Sequence, residues 1–166
     1  RKAHFIDRFV DALRQLEGAY SLVGLTNKKL IGARDPLGIR PLVIGELDGR
    51  FILASETCAL DIIGAQFVRE VENGEAVVIS DDGIESHKPF PPVQERPCIF
   101  EAIYFARPDS LMKGVSVYER RKRMGAELAA EAPADADVVI PVPDSGVPAA
   151  LGYAHASGIP FELGII

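Results

Sequence analysis

The residues best placed to do chemistry in this sequence form one short turn, Val142 to Gly146. The turn follows an unbroken apolar stretch typical of a buried parallel strand, and it precedes a helical stretch. The first turn of a helix offers unpaired N–H groups and about half a positive charge. Ser145 adds a hydroxyl that suits Mg²⁺, and Gly146 permits close backbone approach, so the turn suits a phosphate or pyrophosphate. The commoner alternative is a simple helix cap by Asp144 or Ser145, with Pro148 in the first turn.

The two cysteines, Cys58 and Cys98, are candidates for metal binding or for the protein core. Two thiols are too few for a disulfide framework or for the four ligands of an iron–sulfur cluster, and they fit a reducing cytosol. A thiolate at Cys98, which precedes the aromatic segment Ile99 to Phe105, suits a metal, while the alternative is a buried small hydrophobe. Cys58 has no C-x-x-C partner and is predicted to be a core residue.

The loop from Arg34 to Pro41 is rigid and charged, because it holds two prolines and a glycine between two arginines. Both Arg34 and Arg40 are potential partners for the carboxylate of Asp35, and such pairs are often bidentate. A stiff loop tied by ion pairs is more often architecture than catalysis.

The basic run Arg120 to Arg123 lies on a predicted helix. It is interpreted as a solvated helix face, with Glu119 and Arg123 forming an i,i+4 ion pair of a few tenths of a kcal/mol. The three histidines show no ligand spacing, and no Ser/His/Asp order stands out; the histidines are His4, His87 and His155.

The elements that must position these residues divide at a proline-rich stretch, Lys88 to Pro97. Four prolines in ten residues predict an extended connector between two units, because proline lacks a backbone donor and disfavours helix. Before the connector, the pattern predicts an opening helix that feeds an antiparallel meander, which fits one sheet and part of a covering layer. The predicted elements are a helix over Phe5 to Leu16 capped by Gly18, a helix over Cys58 to Ile63, and strands at Tyr20–Leu25, Leu30–Ala33, Leu42–Leu47, Phe51–Ala54, Phe67–Val71, Glu75–Ile79 and after Asp82-Gly83.

After the connector the pattern changes to strand, turn, helix and strand, which is a βαβ unit and implies a parallel sheet. Two strands do not complete a core, so this domain is expected to continue beyond Ile166, and both ends of the chain are expected to be internal to a longer protein. The predicted elements are a helix over Val115 to Ala132, a strand over Asp137 to Val142, a helix over about Val147 to Ser157 closed by Gly158, and a strand from Pro160.

The composition of the 166 residues limits the class of protein. A hydrophobic content of 48% with 25% charged residues describes an ordinary globular chain. The net charge of −6 argues against a general nucleic-acid binder, because phosphate contacts need a basic surface. Since the chain lacks a run of about 18 apolar residues, no membrane span is expected. The two cysteines fit a reducing compartment, and a cytoplasmic location is predicted.

Five motifs, in the order and spacing that they have here, resemble the amidophosphoribosyltransferase family. The first motif also resembles other class II glutamine amidotransferases, whereas YFARPDS followed by VPDS makes the series specific. The motifs are ARDPLGIRPL (Ala33 to Leu42), ASETCAL (Ala54 to Leu60), VENGEAVVI (Val71 to Ile79), CIFEAIYFARPDS (Cys98 to Ser110) and VIPVPDS (Val139 to Ser145).

The resemblance implies a two-domain enzyme that opens purine synthesis, with a mixed α/β and α+β fold. Residues 1–88 would be the later part of an N-terminal-nucleophile glutaminase αββα sandwich. Residues 89–97 would be the connector, and residues 98–166 would start a type I phosphoribosyltransferase domain. In this family, ammonia from glutamine displaces pyrophosphate from phosphoribosylpyrophosphate and gives 5-phosphoribosylamine. The resemblance further implies feedback inhibition by purine nucleotides and a homo-oligomer.

Particular residues acquire roles from the resemblance. Pro143, Asp144, Ser145 and Gly146 become the pyrophosphate loop, with Ser145 able to contact Mg²⁺. The family often has a second hydroxyl residue where this chain has Gly146, which weakens a side-chain role there but not a role of the backbone amide. In the cluster-bearing branch of the family, the position of Cys98 supplies one of four thiolate ligands to a structural [4Fe–4S] cluster, and the other three would lie beyond Ile166.

Two further expectations follow from the resemblance. Tyr104 matches a position that lines the ammonia path, while its alternative is an ordinary buried tyrosine. The family's nucleophile is the N-terminal cysteine of the mature protein, whereas this chain starts with Arg1, so no catalytic residue is expected in this segment and the segment alone is expected to be inactive. The rival interpretations are another class II amidotransferase and a non-catalytic regulatory relative.

Overall fold

The computed structural model of this protein describes residues 4–166, so Arg1 lies outside the described residues. The chain divides into two compact units, Arg1–Cys98 and Ile99–Ile166. None of the helices in the described residues is long and apolar enough to cross a membrane.

From residue 4 onward, the first unit contains two helices and seven strands. The strands form two antiparallel sheets, one in the order β1-β2-β6-β7 and the other in the order β4-β3-β5. The elements are α1 (Phe5–Leu13), β1 (Ser21–Leu25), β2 (Leu30–Arg34), β3 (Val43–Leu47), β4 (Arg50–Ala54), α2 (Thr57–Ile62), β5 (Gln66–Glu70), β6 (Ala76–Ser80) and β7 (Gly83–His87).

Three clusters of buried apolar residues stack these elements into four layers. Leu13 of α1 packs with Ala33 and Ala76 on the outer face of the first sheet. Residues of both sheets meet in a second cluster, and Leu60 of α2 packs on the outer face of the second sheet in a third. The order helix, sheet, sheet, helix is the αββα class that the resemblance implied, and that prediction is confirmed.

The prediction of a single sheet from the meander pattern is wrong. β2 pairs with β6 instead of with β3, the next strand along the chain. The reason is the rigid stretch that follows Arg34, which is too long for a tight hairpin and carries the chain from one sheet to the other. The opening helix is also shorter than predicted. It ends at Leu13, before the predicted end at Leu16 and well before Gly18.

The second unit contains a π-helix, a two-stranded hairpin and two α-helices. The hairpin turns at Lys113 and Gly114, both at positive φ, as a two-residue connection requires. The elements are the π-helix (Glu101–Phe105), β8 (Leu111–Met112), β9 (Val115–Ser116), α3 (Val117–Glu131) and α4 (Val147–Ser157).

α4 begins and ends where the sequence predicts, and its end is set by Gly158 in the left-handed conformation. α3 starts two residues later than predicted, because the hydroxyl of Ser116 caps it by accepting from the N–H of Glu119. The predicted strand Asp137 to Val142 is reduced to one parallel bridge between Val139 and Phe161. The direction is as predicted, but among the described residues this stretch has a single short partner, so no ladder extends from it.

The two helices of the second unit cross at glycines. A Cβ atom at Gly125 of α3 would overlap the carbonyl of Ala149, and one at Gly152 of α4 would overlap the carbonyl of Lys122. Backbone therefore packs directly on backbone at this crossing, which leaves no room for a side chain at either position.

Candidate functional site

The turn before α4 is held by the parallel bridge on one side and by the helix on the other. The N–H of Val139 donates to the carbonyl of Pro160 at 2.8 Å, and Pro141 is fully buried. The chain then emerges at Val142, whose side chain is 69% exposed, so the turn that follows is open to solvent. Within the turn Asp144 is also exposed, while Pro143, Ser145 and Gly146 are half-buried.

The backbone of the turn has the donors that an anion needs. Among the hydrogen bonds of residues 4–166, the N–H groups of Asp144 and Ser145 donate to no carbonyl. The N–H of Gly146 donates to the carbonyl of Val142 at 3.1 Å. A Cβ atom at Gly146 would lie 2.6 Å from that same carbonyl oxygen, so this conformation requires glycine. The observed backbone explains why the chain lacks a hydroxyl residue here.

The side chains of the turn do not act as helix caps. Gly146 is the N-cap residue of α4, and no side chain accepts a capping hydrogen bond there. The capping alternative for Asp144 and Ser145 is therefore wrong, and Pro148 does lie in the first turn, as predicted. Asp144 is exposed and Ser145 is half-buried, so a carboxylate and a hydroxyl stand beside the two unengaged N–H groups. The peptide bond between Pro143 and Asp144 is cis.

The described residues contain no group of three or more His, Cys, Asp or Glu side chains that would hold a metal ion. The oxygen donors of Asp144 and Ser145 nevertheless fit Mg²⁺, which is commonly held by one or two protein ligands together with substrate phosphates. The described residues provide only part of the ligand set of a [4Fe–4S] cluster. Cys98 is half-buried and supplies one thiol, whereas Cys58 is buried with its Sγ donating to Glu56 at 3.8 Å. The prediction that Cys58 is a core residue is confirmed.

Tyr104 lies on the exposed face of the π-helix. Its side chain is 59% exposed, so the alternative of an ordinary buried tyrosine is wrong for the described chain. The ring packs against its neighbours, with its centroid 6.5 Å from that of Phe100 and 5.8 Å from that of Phe105. Ile103 is exposed beside it, while Ala102 and Ala106 are buried on the opposite face.

Sequence reasoning missed the role of Arg121. The interpretation of the basic run as a solvated face is wrong for this residue, which is only 3% exposed. Its Nε donates to the carbonyl of Ala102 and its Nη2 donates to the carbonyl of Ala106, both at 2.8 Å. The expected ion pair between Glu119 and Arg123 is also absent from the described part of the chain. The signal that would have marked Arg121 is its spacing of four residues from the buried Val117 and Gly125.

In the first unit, the charged loop after β2 is held by hydrogen bonds from its backbone N–H groups to one of its own side chains. The fully buried carboxylate of Asp35 accepts from the N–H groups of Leu37, Ile39 and Arg40 at 3.0–3.1 Å. The guanidinium of Arg34 donates to backbone carbonyls and lies 3.5 Å from the carboxylate of Glu70. The expected pairing of Asp35 with an arginine is therefore wrong, while the architectural interpretation of the loop stands.

A second buried carboxylate, Glu75, was not singled out from the sequence. It is 1% exposed, and it accepts four hydrogen bonds. Both Nη atoms of Arg69 donate to it at 2.7–2.8 Å, as do the hydroxyl of Ser86 and the N–H of Glu72, each at 2.7 Å. Arg69 belongs to the second sheet and Ser86 to the first, so Glu75 joins the two sheets.

The protonation of these groups follows from their partners. Burial, the largest effect on Glu75, would raise its pKa, but the hydrogen bonds from Arg69, Ser86 and Glu72 and the charge of Arg69 together lower it. The pKa of Arg69 is raised, first by its hydrogen bonds to Glu75. Burial, followed by the negative charge of Asp35, raises the pKa of Tyr20.

Comparison with known protein families identifies a domain in the first unit. Residues 3–61 match the family described as "Glutamine amidotransferase domain". The match includes α1, the first four strands and the charged loop after β2.

Curated relatives match the chain over nearly its whole length. An amidophosphoribosyltransferase of Rhizobium etli is 63% identical over all of this chain and 34% of its own length. The enzyme of the same name from Bacillus subtilis is 46% identical over all of this chain and 35% of its own length. The chain therefore spans about a third of the length of the curated relatives that it matches.

Solved structures of similar proteins also match this chain over nearly its whole length. A structure described as the allosteric regulatory enzyme of purine biosynthesis is 46% identical, with a TM-score of 0.94 over 99% of this chain and 36% of that one. The glutamine phosphoribosylpyrophosphate amidotransferase of Bacillus subtilis, complexed with ADP and GMP, matches with the same values.

Proposed function

Because the chain belongs to the amidophosphoribosyltransferase family over the segment it spans, we propose that the full-length protein makes 5-phosphoribosylamine. Glutamine is hydrolysed to glutamate and ammonia. The ammonia nitrogen then forms a bond to carbon 1 of phosphoribosylpyrophosphate, while the bond from that carbon to the pyrophosphate oxygen breaks and pyrophosphate leaves. The product enters purine synthesis.

The observation that carries the transferase half is the open turn before α4. Two adjacent N–H groups, those of Asp144 and Ser145, are unengaged at the positive end of a helix. Donors held in place by the surrounding fold stabilise a developing negative charge without reorganising during the reaction, which is the main way that proteins assist such departures. The turn Pro143–Gly146 thus binds the pyrophosphate and stabilises the charge that it gains on leaving.

Mg²⁺, when bound, neutralises part of the negative charge on the pyrophosphate. The hydroxyl of Ser145 and the carboxylate of Asp144 are the oxygen donors that would hold it beside the turn. Gly146 contributes only its backbone, since the carbonyl of Val142 excludes a side chain at that position.

The first unit supplies part of the glutaminase half. Its four-layer arrangement and the amidotransferase match over residues 3–61 both support this assignment. In this unit the Glu75 cluster joins the two sheets, and the Asp35 carboxylate holds the loop between β2 and β3. On this proposal residues 1–88 belong to the glutaminase domain, 89–97 to the connector and 98–166 to the transferase domain.

Two residues near the boundary take roles in joining the activities. The exposed ring of Tyr104 lines the path along which ammonia reaches the transferase site, and its exposure in this unit is consistent with that role. Cys98 provides one thiolate of a structural [4Fe–4S] cluster, whose other ligands belong to the rest of the full-length protein.

Regulation and setting complete the proposal. A relative's structure contains ADP and GMP, which supports feedback inhibition of the full-length protein by purine nucleotides. The protein acts in the cytoplasm as a homo-oligomer. Residues 1–166 alone, a third of the length of their relatives, neither hydrolyse glutamine nor form phosphoribosylamine; release of ammonia from glutamine by that purified segment would contradict this.

The test is Ser145→Ala in the full-length protein, with pyrophosphate release measured against Mg²⁺ and phosphoribosylpyrophosphate concentration. Loss of one oxygen donor beside the turn should lower kcat/KM for phosphoribosylpyrophosphate by about tenfold or more and raise the Mg²⁺ requirement. Ser157→Ala, at the other end of α4, is the control and should change neither quantity. Unchanged Mg²⁺ dependence in Ser145→Ala would show that the metal role is wrong.

A further inference from the structure

The π-helix Glu101–Phe105 ends abruptly, so the carbonyl groups near its end need partners from outside the helix. The N–H of Ala106 closes the last turn by donating to the carbonyl of Glu101 at 2.9 Å. Ala106 is already extended, and Pro108 has no N–H to donate. Carbonyls at the end of a helix need partners from elsewhere when they are buried.

Arg121 of α3, which lies fifteen or more residues further along the chain, donates hydrogen bonds to these carbonyls. Its guanidinium donates to the carbonyls of Ala102 and Ala106, both at 2.8 Å. A planar guanidinium holds its donors in a fixed fork, so two bonds set both the position and the direction of the helix end. Arg121 is itself only 3% exposed, which keeps water from competing for these carbonyls.

This arrangement fixes one face of the π-helix and leaves the other free. Glu101, Ala102 and Ala106 are buried on the face toward α3, whereas Ile103, Tyr104 and Phe105 are exposed on the other. The exposed side chains are large and apolar, so without a fixed backbone they would gain by turning inward. The guanidinium therefore determines which side chains this segment presents.

We propose that Arg121 is a positioning residue that holds the aromatic segment Ile103–Phe105 in its presented orientation. The inference rests on the proposed function, in which Tyr104 lines the path of ammonia between two activities. Arg121 then acts through Tyr104, and it serves the transfer of ammonia and neither of the two chemical steps. Loss of the Arg121 guanidinium should lower phosphoribosylamine formation from glutamine without lowering glutamine hydrolysis.

The test uses Arg121→Lys in the full-length protein. A lysine ammonium keeps the charge but cannot span both carbonyls in one plane, so one of the two bonds is lost. Arg123→Lys is the matched control, because Arg123 is exposed on the same helix and makes no bond to the π-helix in the described residues. For each variant, glutamate and pyrophosphate are measured with glutamine as the nitrogen source, and pyrophosphate is measured again with ammonium chloride.

The expected result is a selective loss. Pyrophosphate formed from glutamine should fall about tenfold, the factor that corresponds to one hydrogen bond to a charged group. Pyrophosphate formed with ammonium chloride and glutamate released from glutamine should each stay within about twofold of the starting protein, because neither chemical step uses Arg121. The Arg123→Lys protein should keep all three rates. Hydrogen exchange at the amide of Ala106 should quicken only in the Arg121 variant, because that amide closes the π-helix turn.

Several outcomes would overturn the inference. Equal loss of both nitrogen sources, or an unchanged ratio of pyrophosphate to glutamate, would show that Arg121 does not act on transfer. Failure of both Arg121→Lys and Arg121→Gln to yield folded protein would show a requirement of the whole fold. If the starting protein uses neither nitrogen source, the proposed function fails, and hydrogen exchange at Ala106 still tests whether Arg121 fixes the segment.

Discussion

Replacing Arg69 by methionine should weaken the connection between the two sheets of the first unit. The change leaves the Glu75 carboxylate, which is 1% exposed, without the one cationic side chain that contacts it within residues 4–166. Removing one member of a fully buried ion pair costs about 3–5 kcal/mol. Arg69 is 37% exposed, so water replaces part of the interaction and the expected loss is about 2–3 kcal/mol.

The assay is native-state hydrogen exchange of the full-length protein, read at the amides of β6. Those amides follow Glu75 directly and exchange only when this part of the sheet opens. A loss of about 2–3 kcal/mol corresponds to a fall in protection of roughly 30- to 150-fold. The matched control is Lys88→Met, which removes the same charge from a pair with Glu72 whose side chains are 59% and 61% exposed. The control should change protection by about twofold at most.

The effect should depend on pH in a defined direction. The folded-state pKa of Glu75 is lowered from its usual 4.5, so its ionised form stabilises the fold above that value and the contribution is lost as pH falls through the folded pKa. In Arg69→Met, burial is opposed only by Ser86 and the N–H of Glu72, so the pKa of Glu75 rises. Glu75 of the variant therefore gains a proton at a higher pH than Glu75 of the starting protein, and the difference in stability between the two proteins should shrink as the pH falls from the raised pKa of the variant to the lowered pKa of the starting protein.

The reasoning would be refuted by either of two results. Equal loss of protection in Arg69→Met and Lys88→Met would show that burial of the carboxylate does not matter. A difference that stays constant with pH would show that the lost interaction is packing of the arginine stem and is independent of the charge.

Two other changes test separate parts of the molecule. Gly152→Ala forces a Cβ into the carbonyl of Lys122 and should lower the free energy of unfolding by at least about 2 kcal/mol in urea titration, whereas Gly24→Ala, with open space around it, should stay within about 0.5 kcal/mol. Cys98→Ser should remove bound iron and visible absorbance from anaerobically purified full-length protein, and Cys58→Ser should not; a colourless, iron-free and fully active starting protein would contradict the cluster proposal.

Local signals in the sequence predicted the elements that local chemistry determines. The bounds of α4 follow from Pro148 in its first turn and Gly158 at its end, because both act through the backbone of their own helix. The strand at Val139 was overextended in the prediction, since a strand exists only to the extent that a partner pairs with it. The same limit applies to the meander, whose apolar runs do not specify which strand each one joins.

The residues of the candidate site also differ in whether local sequence signals could predict them. The turn before α4 was predicted because a strand, a turn and a helix in series define it within a few residues. Arg121 and Glu75 were not, because each is a charged residue among others of its kind, and only the fold distinguishes the buried one. The π-helix was missed since its five residues are too few for a period to be measured.

The contact of Gly125 with α4 links two parts of the second unit that are distant in sequence. Gly125 lies one helical turn from Arg121, on the same buried stripe of α3. Since backbone meets backbone at the crossing, α3 cannot slide along α4 without collision. A displacement of the start of α4, where we propose that pyrophosphate binds, would therefore be passed through this backbone contact to the part of α3 that carries Arg121. The two helices thus form a rigid mechanical connection between the proposed pyrophosphate turn and the aromatic segment Ile103–Phe105.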